Sequence, residues 1–147
     1  MAHVYSLAPA AFTPGAARTV LELMCAAEKQ VKVRRIELSS DDTAGSTVVD
    51  VLLLRITATG TASALTARPL NQNHPASGFT AKSNNTAEPT AGVDLYRFKW
   101  NIQVPYTLVL GPGEEFVIPG ATSEGFAIEL LDNPAAEITV TAIVEED

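Results

Sequence analysis

The chain has 147 residues, 46% of them apolar and 18% charged, with a formal net charge of −7. That apolar share excludes wholesale disorder, and the acidic balance excludes the basic face that non-specific nucleic-acid binding requires. One cysteine, Cys25, cannot form an internal disulfide; no apolar run approaches the ~20 residues of a membrane span. The N-terminus lacks the basic-then-apolar order of a signal peptide, so synthesis and folding in a cytoplasm are expected, with no membrane partner.

Residues 1–17 are rich in Ala and Pro, and Pro9, Pro14 and Gly15 interrupt any regular element. Two readings stand: a frayed terminus, or an extended arm that could reach up to ~55 Å and lay Tyr5, Leu7 and Phe12 on a neighbouring subunit. Residues 18–147 are expected to form one domain. Arg18–Ser39 divides into TVLELMC and VKVRRIEL, and the apolar phase of the second slips across Arg34-Arg35, as a β-bulge would make it slip. Asp41–Thr47 is a polar turn. Val48–Thr57 is the most apolar run and predicts a strand buried on much of both faces, with Arg55 as a snorkelling edge residue.

From Gly60 to Gly92 the composition turns to Thr, Ser, Ala, Asn, Pro and Gly. So long a loop is unusual in a compact domain, and one or two short strands are expected around Ala64–Ala67 and Phe79–Lys82. Leu95–Gln103 predicts a strand with Tyr96, Phe98 and Trp100 on one face, and Tyr106–Leu110 a further strand. Between Glu114 and Asp147 come three more, EEFVIP, GFAIELLD and EITVTAIVEE. Their period of two, with Pro119-Gly120 and Asn133-Pro134 as stops, marks half-buried antiparallel strands. About eight strands without a helix predict an all-β, antiparallel, jelly-roll-like sandwich with long loops.

An enzyme needs a constellation of groups, and none assembles from the sequence. His3 and His74 lack metal-ligand spacing, Cys25 reads as a small buried hydrophobe, and Gly111-Pro112-Gly113 precedes a strand rather than a helix N-terminus. Turn chemistry explains Asp41 and Asp42 without a calcium ion. No catalytic residue, metal site or cofactor is therefore expected. Tyr96, Phe98 and Trp100 are either sandwich core or a sugar-binding platform, with core preferred. Glu114, Glu115, Glu145, Glu146 and Asp147 read as a solvated acidic rim.

The run Val49–Gly92 and the strand with Trp100 resemble small structural proteins of tailed bacteriophages. The likeness rests on Leu53-Leu54-Arg55 leading into a Thr/Ala/Ser loop, on the Ala-Leu-Thr-x-x-Pro element at Ala64–Pro69, and on Thr86–Gly92. It implies a jelly-roll decoration (cement) protein, made in the host bacterium and located on the virion surface. The partners it implies are the major capsid protein and two further copies of the chain in a homotrimer. It brings no catalytic residues. The alternative is a carbohydrate- or receptor-binding jelly-roll module of a head or tail appendage.

Overall fold

The first strand of the chain lies beside the last, and from that pairing the sandwich is built. The structure, a computed structural model, describes residues 1–42 and 47–147. Much of the expected Asp41–Thr47 turn therefore lies outside the described residues. Among these the chain is all-β, without a helix, in two antiparallel sheets. The strands are β1 (His3–Leu7), β2 (Arg18–Met24), β3 (Val31–Ser40), β4 (Val48–Ala58), β5 (Thr61–Leu65), β6 (Arg68–Pro69), β7 (Thr80–Ala87), β8 (Thr90–Asn101), β9 (Tyr106–Val109), β10 (Phe116–Ile118), β11 (Gly125–Leu130) and β12 (Ile138–Glu146).

Pairing is nested. β1 pairs with β12, β2 with β11, β3 with β9 and β10, β4 with β8, and β5 with β7. Rolling this long hairpin sets β12 between β1 and β3 in one sheet and β11 between β2 and β4 in the other. That strand order is a jelly roll. The stretch between β4 and β8 is an insertion whose strands extend one side of both sheets: β7 joins β2, and β6 joins β1.

Alternation in the sequence places the core as expected. Ile138, Val140, Ala142 and Val144 of β12 face inward against Val31, Val33, Ile36 and Leu38 of β3, and Phe126, Ile128 and Leu130 of β11 face them from the other sheet. The phase slip in β3 is a bulge: Arg35 opposes Ile143 and Val33 opposes Val144, leaving Arg34 as the extra residue. β4 is buried on both faces. Val49, Val51 and Leu53 enter the main core, while Leu52, Leu54 and Ile56 form a second cluster with Ala127, flanked by Met24 and Leu131.

Residues 1–17 are not an arm. His3–Leu7 is a full strand between β12 and β6, and Tyr5 and Leu7 are both 0% exposed. Phe12 exchanges two backbone hydrogen bonds with Ile138, N to O at 3.1 Å and back at 2.8 Å. The physical reason is that β12 has a second edge whose N–H and C=O groups must be paired, and the chain's own beginning pairs them. The insertion also holds three strands, more than the one or two expected. Tyr5 and Leu7 each contribute about 1.5–3 kcal/mol by burial. Deleting residues 1–12 is therefore expected to abolish cooperative unfolding or to lower the urea midpoint sharply. A truncated protein as stable as the full chain would show that β1 is dispensable.

Candidate functional site

Tyr96, Phe98 and Trp100 do share one face of β8, opposite Leu53, Val51 and Val49 of β4. Because those partners belong to the core, β8 carries its aromatics inward, from a buried Trp100 to a half-exposed Tyr96 at the rim. Trp100 donates its indole N–H to the Val104 carbonyl at 2.9 Å, within its own loop. Phe98 stacks on Tyr106 of β9 with ring centroids 4.2 Å apart and planes 10° apart. Tyr96 lies 6.3 Å from Phe116 of β10, which lies 6.3 Å from Phe126. These rings form a seam that closes the sandwich between the edge of one sheet (β8) and the edge of the other (β9 and β10). Burial pushes the Tyr106 phenol up, helped by the neighbouring Tyr96 hydroxyl. A sugar platform needs open ring faces; here Trp100 and Phe98 spend theirs on the core.

Three glutamates hold the insertion onto the sandwich. Glu22 of β2 is 1% exposed and accepts from the Thr59 hydroxyl, the Gly60 N–H at 3.1 Å and Asn85 Nδ2 at 2.8 Å. The backbone passes so closely that a side chain at Gly60 would meet the Ala87 carbonyl oxygen at 2.3 Å. Glu146 at the end of β12 accepts from the Gly78 and Phe79 N–H groups, each at 3.0 Å, with Lys29 at 3.6 Å. Glu88 accepts from the Thr19 N–H at 3.0 Å and from its hydroxyl. Glu146 thus leaves the expected acidic rim: it is 2% exposed, because the loop donors it satisfies have no sheet partner. None of these three roles has a local signal, because each glutamate meets donors distant in sequence; Glu22 and Asn85 are 63 residues apart.

Outside the first sheet runs an ionic ladder. Arg34, raised by its bulge, binds Glu145 at 3.0 Å through Nε and Glu115 at 2.5 Å through Nη1. Lys32 binds Asp147 at 2.9 Å and Glu145 at 3.5 Å. Arg55 reaches the Val117 carbonyl at 3.0 Å, linking β4 to β10 across the closed edge. Asp50 pairs with Lys99 at 2.7 Å.

His3 and His74, far apart in sequence, meet in space. Their ring centroids are 4.3 Å apart, and each Nδ1 is buried without a hydrogen-bond partner. Sequence spacing could not show this, because β6 and the loop after it are what carry residue 74 back to β1. Among the described residues no group of three or more His, Cys, Asp or Glu is gathered for a metal ion, and no helix is long and apolar enough to cross a membrane.

No family model matches the chain, and no curated protein matches it. Alignments to solved structures include the infectious bursal disease virus Gx strain, at 12% identity and a TM-score of 0.25 over 99% of this chain and 41% of that one. The VP2 subviral particle of the same virus aligns at 12% identity and 0.24, again over 99% and 41%. This chain spans about two fifths of the length of those it aligns with. Superpositions this poor carry no argument, and the jelly-roll assignment rests on the strand order.

Two predictions come from these surroundings. Cys25 is buried, and burial above all pushes its thiol up to about 12. Iodoacetamide at mildly alkaline pH is expected to leave the native thiol unmodified and to alkylate it once the chain unfolds; mass spectrometry reads both, and rapid native alkylation would contradict the burial. The second concerns acid. Backbone N–H groups at Glu115 and Gly113, then Arg34, hold the Glu115 carboxyl below its usual range, and Lys32 with Gln30 does the same for Asp147. A depressed folded value stabilises the fold above the unfolded value of about 4 and loses that contribution as pH falls through the folded one. Replacing Arg34 by Ala is thus expected to flatten the fall in stability below about pH 4, as read by urea titrations across the acid range. An unchanged slope would show that Arg34 contributes nothing to it.

Proposed function

We propose that this protein is a non-enzymatic structural component of a bacteriophage virion, a decoration (cement) protein that sits as a homotrimer on the assembled head and bridges capsid subunits. The resemblance of Val49–Gly92 to phage structural proteins points to that class. The observation that carries the reading is where the exposed large apolar side chains lie. Among the described residues, Val93 and Tyr96 on β8, Val104 in the following loop, Val109 on β9 and Val117 on β10, 38% to 66% exposed, stand on the side where β8 and β9–β10 end the two sheets, while Val48 at the start of β4, Met1 and Leu70 are the exposed large apolar side chains outside that group. Edges of this kind invite another chain unless blunted, and apolar groups gathered at one mark an interaction surface.

A homotrimer covers that side by apolar contact. At −7 per chain subunits repel at long range, so raising salt leaves the trimer intact or tightens it. With β1 built into the sandwich, contact with the major capsid protein falls to loops and edges rather than to an N-terminal arm.

Light scattering at high micromolar concentration and moderate salt is expected to give three times the 15.5 kDa chain mass. Val109→Asp with Val117→Asp, both on outward positions, is expected to yield folded monomers that no longer co-sediment with purified heads. A wild-type monomer, or heads decorated equally well by the double variant, would refute the proposal.

A further inference from the structure

We propose that Glu129 and Glu88 form an acid-operated latch: a protonated Glu129 donates a hydrogen bond to Glu88 and so fastens a strap of chain across the outside of the second sheet. This goes beyond the virion role and does not depend on it. The strap exists because β7 and β8 are far apart in their sheet. With the order β5-β7-β2-β11-β4-β8, the link from β7 to β8 passes β2, β11 and β4. The link from β4 to β5 makes the opposite crossing, and the two run side by side, with Ala58 opposite Thr90 and Thr61 opposite Ala87. One point of attachment is Glu22 of β2, which holds Gly60 and Asn85. The other is Glu88 itself, whose two oxygens each take the Thr19 N–H at 3.0 Å while one also takes the Thr19 hydroxyl.

Glu129 stands beside that second attachment. It is opposite Thr19 in the β2–β11 ladder, where facing Cβ atoms lie about 4.5–5.5 Å apart. Ile128 and Leu130 on either side of it enter the core, so Glu129 points to the outer face, where the Thr19 hydroxyl meets the strap. Two carboxylates therefore meet over one threonine. Glu88 is satisfied there; among the described residues no hydrogen bond reaches the half-buried Glu129. Other charges on the neighbouring elements are few. Asp94 and Arg97 face it from β8, opposite Leu54 and Leu52 of the intervening β4. Asp50 of β4 is held by Lys99 at 2.7 Å, and Arg18 of β2 donates to the Asn85 carbonyl at 3.0 Å. Burial first, then Glu88 and Asp94, push the Glu129 carboxyl up against the pull of Arg97. A group so raised binds its proton more tightly in the folded state. Its contribution is present in full below the unfolded value of about 4.3 and is lost as pH rises through the folded one. The strap is accordingly tightest in mild acid, opposite in sign to the ladder at Arg34.

The test combines NMR titration of the side-chain carboxyl carbons with amide hydrogen exchange, on the wild type, Glu129→Gln and Glu88→Gln. Glu129 is expected to titrate above the usual range in the wild type and to move back towards it in Glu88→Gln, whose amide oxygen can still accept from Thr19. Protection of the Gly60 and Thr19 amides, corrected for the intrinsic pH dependence of exchange, is expected to rise from neutral pH to mild acid. The rise should be about tenfold for each pH unit that separates the measured Glu129 value from the usual one. Glu129→Gln, uncharged and still able to donate to Glu88, is expected to show the acid level of protection already at neutral pH. A Glu129 titration untouched by Glu88→Gln would overturn the proposal. Equal protection of these amides at both pH values in the wild type would do the same, as would a Glu129→Gln protein no better protected at neutral pH.

Discussion

β12 is the strand on which this architecture depends. It is the last strand, yet it lies inside its sheet, and its two edges are satisfied by β1 and β3. An unpaired edge here would expose backbone donors and acceptors beside the most buried side chains of the molecule, which folding does not tolerate. Pairing the two ends of the chain then sets the nesting of the other pairs: β2 with β11, β3 with β9 and β10, β4 with β8. Closing so long a hairpin costs entropy that grows only slowly with loop length. It does make folding slow, since few contacts are local.

The insertion between β4 and β8 would otherwise be a long excursion with little apolar anchorage. Buried carboxylates make it part of the rigid body. Glu22 and Glu146 each gather several neutral donors, most of them loop N–H groups, where an unpaired donor would cost about 1–3 kcal/mol. A carboxylate can accept up to four such bonds, so one side chain can pin a whole turn. The arrangement also explains why β6, only two residues long, persists: the bonds that Leu70 and Tyr5 donate, and those that Glu146 accepts from Gly78 and Phe79, hold the loop on its C-terminal side. The meeting of His3 and His74 is a by-product of that pinning.

Much of the fold is legible in the sequence because the sandwich repeats one local rule. Alternation in β12 and β11 marks the inward residues, the continuous apolar run of β4 marks a strand buried on both faces, the slip at Arg34-Arg35 marks the bulge, and the stops at Pro119 and Pro134 bound the strands. β1 is hidden for a physical reason. HVYSL is a five-residue strand set among Ala and Pro, and composition averaged over the first 17 residues conceals it; only the vacancy beside β12 shows what it is for. The acidic end of the chain misleads in the same way. Glu145 and Glu146 are neighbours in sequence but point to opposite faces, so one joins the outer ionic ladder and the other is buried beneath Gly78. The aromatic alternation in β8 is visible in the sequence, but the seam those rings make with Tyr106 and Phe116 joins two sheets and has no local signature.

The two sides of the sandwich are finished differently, and the contrast bears on assembly. On the β5–β6 side, one sheet ends in a two-residue strand closed by Pro69, which has no N–H to offer a visitor. The other sheet ends in Thr61–Leu65, a strand of mostly small side chains that gives a partner little area to bury. Both edges are blunted. On the opposite side β8 is twelve residues long, its exposed side chains include Arg97, Lys99, Val93 and, at the rim of the aromatic face, Tyr96, and Val109 and Val117 flank it on the other sheet. A free monomer gains nothing from apolar groups at an open edge and risks aggregation from them. Covering by another chain would remove that liability, so the asymmetry of the edges, more than any cavity, is what supports the proposed assembly.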